Sequence, residues 1–338
     1  MNKKEILLEV NGVSKYFELP NNKVLKAVDN VSLKIEKGEI VGVVGESGCG
    51  KSTFGKLISR TYKPTKGKIY YKGKLKNLPN DPYMKNQEML NTREVKEYCK
   101  NVQVVFQDPY SSLNPRQTAG DAIGRGLKVH GLYKGKVKQR VAELLNIVGL
   151  SEDARDRFPH EFSGGQRQRI CIARALAIEP ELLICDEPIS ALDVSIQSQI
   201  INLLKNLKET LELTMIFISH DLSVVKYICD KVVVMYLGTV MEMANSNEIY
   251  NNPLHYYTKA LLSAVPFADP CIEKNRQRIL LTGDIPSPVD APSGCTFSSR
   301  CPDCDDICIK ERPELKMVED GHYVACHKVL EDRRDNNE

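Results

Sequence analysis

Residues 45–52 read Gly-Glu-Ser-Gly-Cys-Gly-Lys-Ser, which fits the spacing GxxxxGK[ST]. They sit between an apolar run, IVGVVG, and a segment of helical spacing, KSTFGKLISR, so a buried strand turns directly into a helix. That junction restricts the chain to an α/β fold in which phosphates are received at the C-terminal end of a sheet. The glycines let the backbone curl with no Cβ in the way. The backbone N–H groups of Gly45, Ser47, Gly48, Cys49 and Gly50, with those of Ser52 and Thr53 at the helix start, then point at the phosphates. Lys51 is expected to reach the β and γ phosphates. The Ser52 hydroxyl is expected to bind Mg²⁺, which takes oxygen ligands and bridges the same phosphates.

The 338 residues are 42% hydrophobic, enough for one full α/β domain and a smaller appendage. With 47 basic and 44 acidic residues the net charge is +3, so there is no overall electrostatic footprint for nucleic acid, and none is expected as a partner. The apolar run in MNKKEILLEVNG is too short for a signal-peptide core or an anchor, so neither is expected there. No stretch approaches the roughly 20 apolar residues needed to span a bilayer. Membrane association is therefore expected to run through a partner. Eleven cysteines in a chain with no export signal point to metal or packing roles before disulfides. Cys49, Cys99, Cys171, Cys185, Cys229 and Cys271 are scattered, whereas Cys295, Cys301, Cys304, Cys308 and Cys326 crowd near the C-terminal end.

Strands are expected at ILLEV, VSLKIEKGE and IVGVVG, then at KIYYKG, with an irregular connection and a short polar helix before residue 100. VQVVFQ reads as a buried strand, and residues 118–178 have helical spacing with a turn at FPHEFSGG, which predicts an inserted helical subdomain. ELLICDE and TMIFIS are two more buried strands, and the helical run between them predicts right-handed βαβ units in a largely parallel sheet. A Pro-rich tail starts near residue 264, so the organisation expected is 1–263 for the nucleotide-binding domain and 264–338 for the tail. Two carboxylates end the strand Leu182-Leu183-Ile184-Cys185. Asp186 is suited to hold Mg²⁺ through water, and Glu187 to orient and deprotonate the attacking water.

Phe162-Ser163-Gly164-Gly165-Gln166 lies between these two motifs, and with them it resembles the signature motif of ABC ATPases. The resemblance implies that Ser163, Gly165 and Gln166, at a helix N-terminus, contact the γ-phosphate of ATP held by a second subunit. Gln107 resembles the Q-loop glutamine, a further Mg²⁺ ligand, and Ser190-Ala191-Leu192-Asp193 resembles the D-loop. His220, at the end of TMIFIS, looks like the switch histidine, suited to hydrogen-bond the γ-phosphate. Phe17, in VSKYF, aligns with the aromatic that stacks on adenine, with Tyr16 as the alternative. FQDPYSSLNPR, RFPHEFSGGQRQR, EPISALDVS and LTGDIPSPVDAPSGCTFSSRCP extend the likeness, over nearly the whole chain, to the ATP-binding subunits of dipeptide and oligopeptide permeases.

That resemblance implies a P-loop core with a largely parallel sheet, an N-terminal antiparallel β subdomain, the helical insert and a small Cys-rich tail. It also implies a head-to-tail dimer with an identical or sister ATPase, closing on MgATP. Two integral membrane permease subunits would dock near the Q-loop, an extracytoplasmic binding protein would deliver cargo, and the chain would lie peripherally on the cytoplasmic membrane face. Peptides are the cargo implied, with nickel and glutathione importers as relatives of the same type. A soluble ABC ATPase acting on ribosomes or DNA is the rival class; the single cassette and the absence of sustained heptads speak against it. In the same subfamily Cys295, Cys301, Cys308 and Cys326 match the spacing of a tail that holds a 4Fe-4S cluster in some members. Zinc and a reduced, metal-free tail are the other readings, and Cys304 is an extra candidate ligand. His322 and His327 read as surface or packing residues.

Overall fold

The structure, a computed structural model, describes residues 5–77, 92–266 and 278–335. Its strands are β1 (Ile6–Leu19), β2 (Lys23–Glu36), β3 (Ile40–Val44), β4 (Lys66–Tyr71), β5 (Lys74–Asn77), β6 (Val102–Val105), β7 (Leu182–Asp186), β8 (Thr214–Ile218), β9 (Lys231–Tyr236), β10 (Thr239–Asn245), β11 (Lys316–Glu319) and β12 (His322–Val324). The helices that matter below are α1 (Lys51–Ile58), α2 (Thr92–Asn101), α3 (Pro109–Ser112), α4 (Ala119–His130), α5 (Val137–Ile147), α6 (Gly164–Leu176), α7 (Val194–Leu211), α8 (Leu222–Ile228), α9 (Ser246–Asn251) and α10 (Tyr256–Ser263). The chain divides into two compact units. Among the described residues, the first holds 5, 36–39 and 92–218, and the second holds 6–35, 40–77, 219–266 and 278–335.

In the second unit β2, β1, β4 and β5 lie side by side, with antiparallel pairing of β4 to both β1 and β5. Val31, Leu33 and Ile35 are buried while Asn30, Ser32 and Lys34 face solvent, the alternation of a sheet packed on one side only. β3 differs, because all five of its residues are buried and it pairs in parallel with the equally apolar β9. β10 then returns antiparallel to β9, and β12 pairs antiparallel with both β10 and β11. The C-terminal tail thus continues the sheet that starts at the glycine-rich loop. Behind it, Phe297 (0% exposed) meets Tyr236 edge-on at 5.3 Å between ring centroids and Tyr257 at 5.4 Å.

The first unit contains β6, β7 and β8, paired in parallel. β7 and β8 are buried along their whole length, and α7 is the crossover between them, as the two apolar runs and the helical spacing predict. Residues 118–178 are helical in this unit. Thr118 caps α4 by accepting from the N–H of Asp121, and α4 packs on α5 and α6 through Ala119, Ile123, Leu127, Val141 and Leu145. VQVVFQ makes a shorter strand than its apolar run suggests. It ends at Val105, because Phe106 and Gln107 turn out to the surface ahead of Asp108, whose carboxylate caps the short α3. Cys271, one of the scattered cysteines, lies outside the described residues.

Phe297→Ala removes the ring at the centre of the tail's aromatic cluster and leaves a cavity that Tyr236 and Tyr257 fill incompletely. It is expected to cost about 3–5 kcal/mol of unfolding free energy, measured by denaturant titration. A loss below about 1 kcal/mol would show that the tail does not share this core.

Candidate functional site

The glycine-rich loop emerges from β3 under tight steric control. Gly45 has φ 146°, and a Cβ there would lie 2.1 Å from the carbonyl oxygen of Met235 on the neighbouring β9. Gly50, the N-cap of α1, has φ 102°, and a Cβ there would sit 2.1 Å from the carbonyl oxygen of Ala27. No side chain fits at either position, so the loop's course is set by backbone packed against backbone. Ser47 and Gly48 at its tip are exposed, whereas Cys49 is 3% exposed. Lys51 is 5% exposed and folds back over the loop, its Nζ donating to the carbonyl oxygens of Gly45 at 2.8 Å and Glu46 at 3.0 Å. Burial pushes the Cys49 thiol up, in spite of the ammonium 3.8 Å away, so it stays protonated. Ser52 and Thr53, half-buried, open the first turn of α1.

Contacts distant in sequence hold this loop. Glu46 donates its N–H to the hydroxyl of Tyr257 at 2.9 Å. Its carboxylate takes a two-pronged hydrogen bond from Arg300, Nη1 to Oε2 at 2.7 Å and Nη2 to Oε1 at 3.2 Å. The Arg300 side chain is only 7% exposed. Burial alone would lower its pKa, but the Glu46 carboxylate and the Tyr236 hydroxyl override that and raise it, so the charge is permanent. Neither Arg300 nor Tyr257 is marked by the motif. The only local trace in the sequence is the acidic residue at the second position of GESGCGKS, which needs a cation somewhere once it is half-buried.

Tyr16 and Phe17, neighbours near the end of β1, have different surroundings. The Tyr16 hydroxyl donates to Asp29 Oδ1 at 2.5 Å, and Arg312 from the tail holds the other oxygen of that carboxylate. Phe17 is half-buried, edge-on to Tyr62 at 5.4 Å, with Lys15 Nζ 5.0 Å from its centroid. In the same unit His220 is exposed directly after β8. The N–H of Ser219 before it donates to Val43 of β3, and Asp221 after it caps α8.

The first unit gathers the remaining candidates. β7 delivers Asp186, 8% exposed, and then Glu187, whose backbone is left-handed at φ 47° and whose N–H donates to Ile218 at 3.0 Å. A non-glycine residue rarely adopts that region, and its backbone leaves the extended course of the strand there. Gln107 reaches the carboxylate, Nε2 donating to Glu187 Oε2 at 3.1 Å. Two residues 80 apart in sequence therefore meet at the end of the strand that was expected to carry the reaction.

The signature segment starts α6. Ser163 and Gln166 make a reciprocal cap: the Ser163 hydroxyl accepts from the N–H of Gln166 at 3.3 Å, and Gln166 Oε1 accepts from the N–H of Ser163 at 3.0 Å. Gly165 is a packing requirement as well, since a Cβ there would lie 2.3 Å from Ile196 of α7. Ser163 is exposed and Gly164 half-buried, so the start of a 13-residue helix reaches the surface at a hydroxyl, while Gly165 is buried. The D-loop follows Glu187 closely, with Ser190 Oγ donating to the Glu187 carbonyl at 3.1 Å.

The tail cysteines form one neighbourhood. The Cys295 N–H donates to the Cys308 carbonyl at 2.7 Å. Burial and then the nearby thiols Cys326 and Cys304 raise the Cys295 pKa. Cys301 is pushed up to about 11 and Cys308 to about 12, in each case mainly by burial, with Cys295 among the further causes. Among the described residues no three thiols gather within 4.8 Å of one another, the compact arrangement a single zinc ion needs. His322 is buried and His327 half-buried, its Nε2 3.0 Å from the Glu311 carbonyl.

The chain matches the family model "ABC transporter" over residues 28–190 and "Oligopeptide/dipeptide transporter, C-terminal region" over residues 241–308. It is 50% identical over 331 residues to the oligopeptide transport ATP-binding protein AppF of Bacillus subtilis, covering 96% of this chain and 97% of that one. Identity to OppF of Haemophilus influenzae, an oligopeptide transport ATP-binding protein, is 48% over 97% of this chain and 99% of that one. Among solved structures it is similar to a dimeric ATP-binding cassette, MJ0796, bound to ADP and Pi, with a TM-score of 0.62, 28% identity, and coverage of 71% of this chain and 99% of that one. CbiO1 of Clostridium perfringens, part of an ABC transporter complex, gives a TM-score of 0.62 at 27% identity, over 74% of this chain and 92% of that one.

Because Arg300 orients Glu46, and through it the loop above Lys51, Arg300→Ala is expected to weaken nucleotide binding by about 3–10-fold. Arg300→Lys, which keeps the charge and loses the fork, should fall between. Titration with a fluorescent nucleotide reads both, and an unchanged dissociation constant for Arg300→Ala would remove the tail from the site.

Proposed function

The chain belongs to the ATP-binding subunits of ABC transporters, in the oligopeptide and dipeptide branch, and from that membership we propose that it hydrolyses MgATP to drive peptide import through a membrane permease. The observation that carries the catalytic part is the pair Gln107 and Glu187, hydrogen-bonded at the end of the buried β7.

The roles follow from the surroundings of each residue. The loop 45–50 and the start of α1 present N–H groups to the phosphates, and Lys51 exchanges its carbonyl partners for β and γ phosphate oxygens. Ser52, Asp186 and Gln107 each offer an oxygen of the kind that suits Mg²⁺, which would supply charge neutralisation at the β and γ phosphates when bound. Glu187 accepts the proton of the attacking water. Gln107 holds and orients that carboxylate, and His220 hydrogen-bonds the γ-phosphate. Phe17 rather than Tyr16 stacks on the base, because the Tyr16 hydroxyl is committed to Asp29 and Arg312.

The exposed Ser163 and the start of α6 serve the nucleotide of a second subunit, identical or sister, in a head-to-tail dimer. Phe106 and Tyr110, 40% and 60% exposed beside Gln107, give the permease subunits an apolar foothold next to the residue that senses the phosphate. No helix among the described residues is long and apolar enough to cross a membrane, and we place the chain at the cytoplasmic face through these partners. Cys295, Cys301, Cys308 and Cys326 would hold a 4Fe-4S cluster. A cube gives each thiolate its own iron, which suits thiols that share one neighbourhood without converging on a point.

Glu187→Gln is expected to keep nucleotide affinity and lower steady-state turnover at least about 100-fold, whereas Lys51→Ala loses affinity itself. Normal hydrolysis by Glu187→Gln would sink the assignment of the base. Anaerobically purified protein is expected to carry about four irons with inorganic sulfide, and iron-free protein with five titratable tail thiols would remove the cluster.

A further inference from the structure

We infer that His322, Glu248 and Glu319 form a site for a divalent transition-metal ion that ties the β11–β12 hairpin to helix α9. Among the described residues these three gather one ligand atom each within 4.8 Å of one another. They come from separate elements: Glu248 from α9, directly after β10, Glu319 from the end of β11 and His322 from the start of β12. Glu319 and His322 are register partners across the turn made by Asp320 and Gly321, so their side chains leave the hairpin on one face.

The imidazole is what makes this more than an acidic patch. His322 is 1% exposed. Its Nε2 lies 2.7 Å from Oε1 of Glu242, a fully buried residue that already accepts from the N–H groups of Leu254 at 2.8 Å and His255 at 2.9 Å. A carboxylate with that set of donors takes a proton-bearing Nε2, which leaves the lone pair of a neutral ring on Nδ1. Nδ1 is buried and has no hydrogen-bond partner. An unsatisfied buried nitrogen is costly, and a cation on its lone pair satisfies it. The arrangement carboxylate, histidine, open nitrogen is the one by which metal sites fix the tautomer and orientation of a histidine ligand. Glu242 would be the orienting carboxylate, and Glu248 and Glu319, both exposed, the solvent-side ligands through which an ion enters.

Bonds of about 2.0–2.2 Å to nitrogen and oxygen place adjacent ligand atoms about 3–3.5 Å apart. The present spread therefore closes by torsions of two exposed glutamates, with the buried histidine staying where it is. One imidazole and two carboxylates suit Mn²⁺, Fe²⁺, Co²⁺ or Zn²⁺, and the set shares no ligand with the thiols of the tail. Mn²⁺ is the discriminating probe, because it favours oxygen and nitrogen over thiolate.

Nucleotide-free, full-length protein is titrated with Mn²⁺ and the free ion followed by electron paramagnetic resonance. One saturable Mn²⁺ per chain is expected, with ¹⁴N coupling from a single imidazole in the pulsed spectrum and a rise in the thermal unfolding midpoint on binding. The double variant Glu248→Gln/Glu319→Gln leaves the buried Glu242–His322 pair untouched and should weaken binding at least about 10-fold while keeping the metal-free unfolding midpoint. Absence of a saturable site, a bound ion without nitrogen coupling, or equal affinity in the double variant each overturns the proposal and leaves His322 as a packing residue hydrogen-bonded to Glu242.

Discussion

A strand that is buried on all sides and ends where no side chain fits is the constraint on which the rest depends. β3 is apolar at every position and pairs with β9, and at Gly45 the chain passes so close to the Met235 carbonyl that only hydrogen fits. The backbone must therefore turn there, and the turn runs straight into α1, whose first N–H groups have no intrahelical partner. Anion binding is a consequence of this packing before any charged side chain is considered. Lys51 adds a positive charge whose donors rest on loop carbonyls, a neutral parking place that costs little to leave for phosphate oxygens.

The same principle, backbone geometry fixed by packing and chemistry added at its edge, governs the first unit. Glu187 follows five buried residues and is held left-handed by its N–H bond to Ile218. Gln107 sits where a short strand gives way to a capped turn, free of the sheet and within reach of that carboxylate. Buried strands thus bring two side chains that are distant in sequence into hydrogen-bonding contact at their ends.

What could be read from the sequence was whatever is written in consecutive residues. GESGCGKS, LLICDE and FSGGQ each carry strand, turn and helix start within a few positions, and the structure puts Gly50, Asp186 and Ser163 at those junctions. β11 and β12 escaped, because KMVE and HYV are too short to show a period, and they become strands only by pairing, β12 with β10 and β11 with β12. The clamp on Glu46 was equally invisible: its partner Arg300 is 254 residues away, and SSRCP in isolation reads as a turn. Tyr16 and Phe17 are indistinguishable as aromatic neighbours until Asp29 and Arg312 claim one of them. The glutamine of the signature was expected to face a nucleotide, and its side chain oxygen is also half of a helix cap, a role that the S-x-x-Q spacing does record.

The tail is the part of this branch that a bare cassette lacks, and its contacts bear on what it does. Arg300 reaches the phosphate loop, Arg312 reaches the carboxylate that fixes Tyr16, Phe297 completes the core behind β9, and His322 meets Glu242 of β10. Four contacts to four different elements make the tail a brace for the nucleotide-binding side of its unit, and three of the four are ionic or hydrogen-bonded links in buried or half-buried surroundings, which strengthen them. Arg300 lies between Cys295 and Cys301 in sequence, so the short segment that carries the tail thiols also carries the two-pronged clamp on the Glu46 carboxylate.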